Sequence, residues 1–98
     1  MTAYLIVTYD ITDPERFAEY NPGQRATIVS SITKHGGKVL ASGLTEATVG
    51  SAPEKTVLIS FPDVASAKAW QVDEEYAPAK AIRYESTTNI TEAIVDGF

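Results

Sequence analysis

Apolar and polar positions along the chain change period several times, and each change marks a different element. Ala3 to Tyr9 (AYLIVTY) is dense in β-branched and aromatic residues and predicts a strand buried on both faces or nearly so. Asp13-Pro14-Glu15 follows as a helix start, with a capping carboxylate, proline at the first helical position and acid in the first turn. Phe17 and Tyr20 then share one helical face. Asn21-Pro22-Gly23-Gln24 breaks this helix, because Pro22 disfavours helical geometry at Asn21. A second helix is predicted from about Pro22 to Lys34, with Ile28 and Ile32 as its buried stripe and Val29 beside them. His35-Gly36-Gly37 ends it with a glycine free to take the left-handed cap.

The second half repeats the plan. Lys38–Ser42 reads as a short strand, Glu46–Val49 as a ragged edge strand, and Lys55–Phe61 as a clear strand. Pro62-Asp63 opens a helix in which Val64, Ala67 and Trp70 recur at three-residue spacing, so Trp70 is expected to face inward. Asp73-Glu74-Glu75 opens another, bearing Tyr76, Ala79, Ile82 and Arg83. Pro78 places its start later or distorts its first turn, since a helix interior needs the N–H that proline lacks. Ser86 to Val95 closes the chain as a strand. The order is β-α-β-β-α-β with each α region split in two, the ferredoxin-like α+β plan in one domain spanning residues 1–98, with an antiparallel sheet. Helices on one face leave the other bare, and a second copy related by a two-fold axis is the simplest cover.

Composition narrows the function classes. A charged fraction of 21% and a hydrophobic fraction of 44% are those of a folded domain. The chain has no cysteine, which removes disulfides, thiolate chemistry and cysteine-ligated metals, and a reducing cytoplasm is the expected location. There is no signal-like start or long apolar run, so no membrane partner is expected. The net charge is −5 and the basic residues are scattered, so no nucleic acid partner is expected either. One histidine and no EF-hand spacing give no metal site, and no dinucleotide, Walker or nucleophile-elbow motif is present; no cofactor is expected.

The segments YLIVTYDITDPERFAEY, KHGGKVLASG, VLISFPDVASAKAW and EEYAPAKAIR together resemble the bacterial "domain of unknown function 1330" family, from about Ala3 to Asp96. The resemblance implies a dimeric α+β barrel and a bacterial origin, and no particular reaction. The stretch from Asn21 to His35 is about one helical turn longer than in common members of the family. Pro78 replaces an expected helix former. More distantly, the Trp70…Tyr76 spacing is similar to that of cofactor-independent antibiotic-biosynthesis monooxygenases, which bind aromatic polyketides without metal or flavin. Those enzymes tend to carry an asparagine one turn before the tryptophan, where this chain has Ser66.

The candidate chemistry lies at element ends. Asp10, at the end of the first strand, is a candidate acid or base if desolvation raises its pKa, or else a turn cap. His35 is the one histidine, a residue type suited to proton transfer near neutrality. Its place in a last helical turn also suits interaction with terminal carbonyls. Arg83 can fix a carboxylate or enolate oxygen, or pair with Glu74, Glu75 or Glu85 at the surface. Tyr20, Asn21, Trp70 and Tyr76 are candidate substrate contacts, or staple, cap and core. Three readings follow: a cofactor-independent isomerase, cyclase, lyase or monooxygenase acting on a hydrophobic or aromatic metabolite, a metabolite-binding dimer, or a structural dimer without a ligand.

Overall fold

A computed structural model describes residues 2–20 and 25–97. Its elements run β1 (Ala3–Ile11), α1 (Pro14–Tyr20), α2 (Arg25–Lys34), β2 (Lys38–Leu44), β3 (Lys55–Phe61), α3 (Val64–Gln71), α4 (Ala77–Ser86) and β4 (Thr87–Asp96). The sheet is antiparallel in the order β2-β3-β1-β4, the ferredoxin-like arrangement expected from the sequence. Asn21, Pro22, Gly23 and Gln24 lie outside the described residues, and with them the capping and ligand roles considered for Asn21 and the helix start expected at Pro22.

β1 sits at the centre, paired with β3 and β4. Its alternation decides the core: Ala3, Leu5, Val7 and Tyr9 are buried, while Tyr4, Ile6, Thr8 and Asp10 are only partly covered. Within one copy β1 is therefore fully buried on its inner face and partly covered on its outer one, where the sequence leads one to expect burial on both faces or nearly so. Period-two geometry sends every second side chain to the helix-free face, and the apolar Ile6 there does not change its side. On β3 the inward set is Lys55, Val57, Ile59 and Phe61. Phe17, Ile32, Ala67, Trp70, Tyr76 and Ala79 of the helical layer close over these strands.

Local chemistry sets the boundaries. The Asp13 carboxylate accepts from the Arg16 amide at 3.1 Å, and that of Asp63 from the Ser66 amide at 2.7 Å, so both are helix caps. Gly36 takes φ +75° after α2, a conformation that costs a side-chain-bearing residue about 1–2 kcal/mol. Glu74 to Tyr76 form a turn, and α4 begins at Ala77. Pro78 thus falls in the first turn, where its missing N–H leaves no bond unmade. The ragged strand expected over Glu46–Val49 is absent; those residues run as loop and bend between β2 and β3. Ala47 and Val49 alternate with Glu46 and Thr48, but Val49 is 92% exposed, so no buried face anchors a register there. In β4 one extra residue, Asn89, bulges opposite Thr8–Asp10 with φ +53°.

Candidate functional site

A cleft of about 260 Å³ opens between the inner sheet face and the helices. β1 contributes Val7 and Tyr9, β3 contributes Lys55, Val57 and Ile59, and α2 adds Ile28 and Ile32. Tyr20 from the end of α1, Trp70 from α3, Tyr76 and Arg83 from α4 and its lead-in, Arg25 from α2 and Ser42 from β2 add to the polar and aromatic part of the wall.

Trp70 faces inward as expected, 2% exposed, and stacks on Tyr76 with centroids 4.2 Å apart. Its indole N–H donates to the buried Ser31 hydroxyl at 2.9 Å, and that hydroxyl donates to the Ile28 carbonyl at 2.7 Å. Two helices are thereby pinned across the cleft. The Tyr20 and Tyr76 hydroxyls lie 3.5 Å apart. The Arg83 Nε donates to the Tyr76 oxygen at 3.3 Å, and Nη2 to Glu92 at 3.4 Å.

Arg83 is 1% exposed, so pairing with Glu74, Glu75 or Glu85 at the surface is ruled out. The α4 stripe of Ala79, Arg83 and Ser86 is the buried one, and it carries the guanidinium inward. Burial works to raise the Glu92 pKa. The hydrogen bond from Tyr84, the Arg83 charge and the bond from Gln71 outweigh it, and the carboxyl is held below its usual value. Glu92 is therefore an ionised partner for Arg83.

Two polar atoms of residues that line the cleft are buried, beneath the reach of water, with no hydrogen-bond partner among the described residues: the Tyr9 hydroxyl and Arg83 Nη1. Such groups are uncommon because each forfeits its water without replacement, at roughly 1–3 kcal/mol. Burial pushes the Tyr9 phenol up to about 12, against the opposing pull of Arg83, so it is a donor and not a base near neutrality. The Tyr20 phenol is raised in the same way by burial and by Tyr76.

Asp10 and His35 are not in the cleft wall. The Asp10 carboxylate accepts from the Asn89 side chain at 2.9 Å and the Glu54 amide at 2.8 Å, while Glu54 in turn accepts from the Ile11 amide at 2.8 Å. These bonds, first that from Asn89, lower its pKa. The raised value expected for an acid catalyst is thus reversed, and Asp10 ties a loop to the β4 bulge. His35 Nε2 lies 2.6 Å from Asp73, which Lys34 also reaches at 2.8 Å. The ring turns to the α3–α4 connection instead of the terminal carbonyls of α2. The structure brings together Tyr20, Trp70, Tyr76 and Arg83, and adds Tyr9 and Lys55, which the sequence reading did not single out. Both carried a signal: each is a polar-tipped residue in an inward-facing register position, after Leu5 and Val7 in one strand and before Val57 and Ile59 in the other.

No group of three metal-binding side chains occurs among the described residues, and none of their helices is long and apolar enough to cross a membrane.

Sheet order, the split helices and a cleft on the helical face define a ferredoxin-like α+β protein. The chain belongs to the family described as domain of unknown function DUF1330, which it matches over residues 2–98. Among solved structures it is similar to a protein of unknown function from Rhodopseudomonas palustris, at 14% identity and a TM-score of 0.76, covering 99% of this chain and 82% of that one. A dimeric ferredoxin-like protein of unknown function from Jannaschia sp. CCS1 gives 12% identity and 0.76, covering 99% and 100%. The cofactor-independent oxygenase SnoaB from Streptomyces nogalater gives 8% and 0.67, covering 99% and 93%. At these identities the likeness is one of fold. Comparison with curated proteins found no match.

Proposed function

We propose that this chain is a cofactor-independent enzyme acting on a hydrophobic or aromatic metabolite held in the cleft. The observation that carries the reading is the pair of unpartnered buried donors, the Tyr9 hydroxyl and Arg83 Nη1, on residues of a cavity lined by both apolar and polar side chains. Donors fixed in a water-poor site stabilise an oxygen that gains negative charge during a reaction. Trp70 and Tyr76 supply a stacked aromatic wall for the carbon skeleton, and Tyr20 extends the hydroxyl array. Arg83, Tyr76 and Tyr9 hold the oxyanion in this scheme. Asp10 and His35 are assigned tethering roles. The SnoaB likeness is compatible with cofactor-free chemistry on this fold.

The working unit in this reading is a pair of copies joined through the helix-free face of the sheet. Tyr4, Ile6, Leu58 and Val95 stand on that face, and related folds are described as dimeric. A metabolite-binding protein without turnover is the second reading, favoured by the absence of a carboxylate or imidazole from the described lining.

The test is a screen of aromatic metabolites by quenching of Trp70, the single tryptophan, followed by incubation of each binder in air and mass analysis over time. Binders whose mass or retention changes with protein present, and not without it, support the enzyme. Binders that all return unchanged leave the binding protein, and a screen with no saturable binder removes both.

A further inference from the structure

The chain carries a net charge of −5, yet each charged side chain in the described cleft wall is basic: Arg25, Lys55 and Arg83. Lys55 is the unusual one. It is 9% exposed and forms no ion pair among the described residues. Its ammonium rests instead over the Phe17 ring, 5.5 Å from the centroid. A buried lysine with no carboxylate is costly, and burial lowers its pKa.

Lys55 is the direct cross-strand partner of Tyr9, so the two leave the sheet side by side on the inner face. The Arg83 guanidinium also lies over Tyr9, 5.6 Å from the ring centroid. Glu92 and Tyr76 occupy two of the Arg83 nitrogens and leave Nη1 open. One phenol donor with no acceptor therefore has two cationic residues as neighbours, and only one of those is paired among the described residues.

We propose that the cleft takes an organic anion, an aromatic or hydrophobic carboxylate, whose charged end is held by Arg83 Nη1, the Tyr9 hydroxyl and Lys55. The inference rests on the cleft reading above and names its substrate class. Arg83 offers a single free nitrogen, so it binds one carboxylate oxygen and not two in the forked manner. The second oxygen falls to Tyr9 and Lys55. The apolar body lies along Trp70, Ile32 and Val57, and about 260 Å³ restricts it to one or two fused rings, since ordinary ligand pockets run from roughly 300 Å³ upward.

The experiment is calorimetric titration of the full chain with 2-naphthoate and with its neutral analogue 2-naphthamide. The carboxylate is expected to bind about tenfold more tightly, with an affinity that falls as salt is added, while the amide is insensitive to salt. Lys55→Met keeps the apolar stem, and in it the preference drops to about twofold with amide binding unchanged. Arg83 variants are a poor arbiter because Arg83 also anchors Glu92 and Tyr76, so Tyr9→Phe serves as the second variant, losing about threefold for the carboxylate. Each variant is checked by circular dichroism before titration. Equal binding of the two probes, or a Lys55→Met protein that keeps the full preference, overturns the anion site and leaves the cleft as a neutral-ligand pocket. Binding of neither probe at millimolar concentration overturns the small-molecule reading as well.

Discussion

Replacing Ser31 with alanine tests how the wall of the cleft is held. Ser31 is fully buried, and its hydroxyl is the acceptor for the Trp70 indole N–H at 2.9 Å. Alanine fits the same space but leaves that N–H with no partner, at about 1–3 kcal/mol. Lost bonding to the Ile28 carbonyl adds little, because a serine bond back onto its own helix competes with regular helical bonding. Alanine is the better helix former by about 0.5 kcal/mol. The net expectation is a loss of about 1.5 kcal/mol, or roughly 6–12 °C in Tm for a domain of this size. Trp70→Phe removes the donor itself, so in that background Ser31→Ala becomes neutral or slightly stabilising. The coupling between the two sites is then about 1–2 kcal/mol. The assay is urea unfolding followed by far-ultraviolet circular dichroism, at one protein concentration so that self-association does not shift the midpoints. A Ser31→Ala loss below about 0.5 kcal/mol, or an equal loss in both backgrounds, refutes the claim that this bond pins α2 to α3.

Gly37→Ala places a Cβ 2.6 Å from Phe61 Cε1 and 2.7 Å from Ile32 Cγ2, both core atoms. It is expected to cost about 1–3 kcal/mol in thermal or urea unfolding, whereas Gly43→Ala, with nothing within 4 Å, should be near neutral. The Asp73 pKa is held well below the usual carboxylate range, first by Lys34 and then by His35. A depressed folded pKa stabilises above the unfolded value of about 3.9, and the benefit is lost as pH falls through that value toward the folded one. Wild type should therefore exceed Asp73→Asn in stability at pH 6, with the gap closing below about pH 4, and a gap constant down to pH 2 would contradict the pairing. On the helix-free face, Leu58→Glu should convert a light-scattering dimer at micromolar protein to a monomer. A wild-type particle of 10.6 kDa under the same conditions would remove the proposed pairing.

The fold was legible because its determinants are local. Caps at Asp13 and Asp63, the glycine after α2 and the late start forced by Pro78 each act within one turn of chain. The inward aromatic residues were legible from three-residue spacing. Electrostatic roles were not, because their causes come from far along the chain. Asp10 reads as a terminal acid in sequence, yet its two donors arrive from 44 and 79 residues away and lower its pKa. His35 finds Asp73 across 38 residues. Whether Arg83 lies inside or outside depends on which stripe of α4 meets the sheet, and the alternation of charged and apolar residues in APAKAIRYES admits both.

The same reasoning explains why the two residues that most change the chemical picture, Tyr9 and Lys55, carried only a parity signal. Strand alternation assigns each of them a side, but it says nothing of what lies opposite until the β1–β3 register is known. Once Tyr9 faces Lys55, the apolar neighbours of both strands work against them. Val7, Val57 and Ile59 line the cleft beside them, and the Tyr9 hydroxyl is shut off from water, while the Lys55 stem is buried and its ammonium has no acidic partner among the described residues. A fold selected for stability alone would gain by placing a leucine at position 55, since an unpaired buried charge is among the costlier residents of a core. Lys55→Met should accordingly raise stability while cutting the carboxylate preference to about twofold. Those opposite signs in one variant are what separates a binding cation from a structural one: a loss of both would make Lys55 part of the scaffold, and a gain in stability with no change in binding would leave the cleft without its second charge.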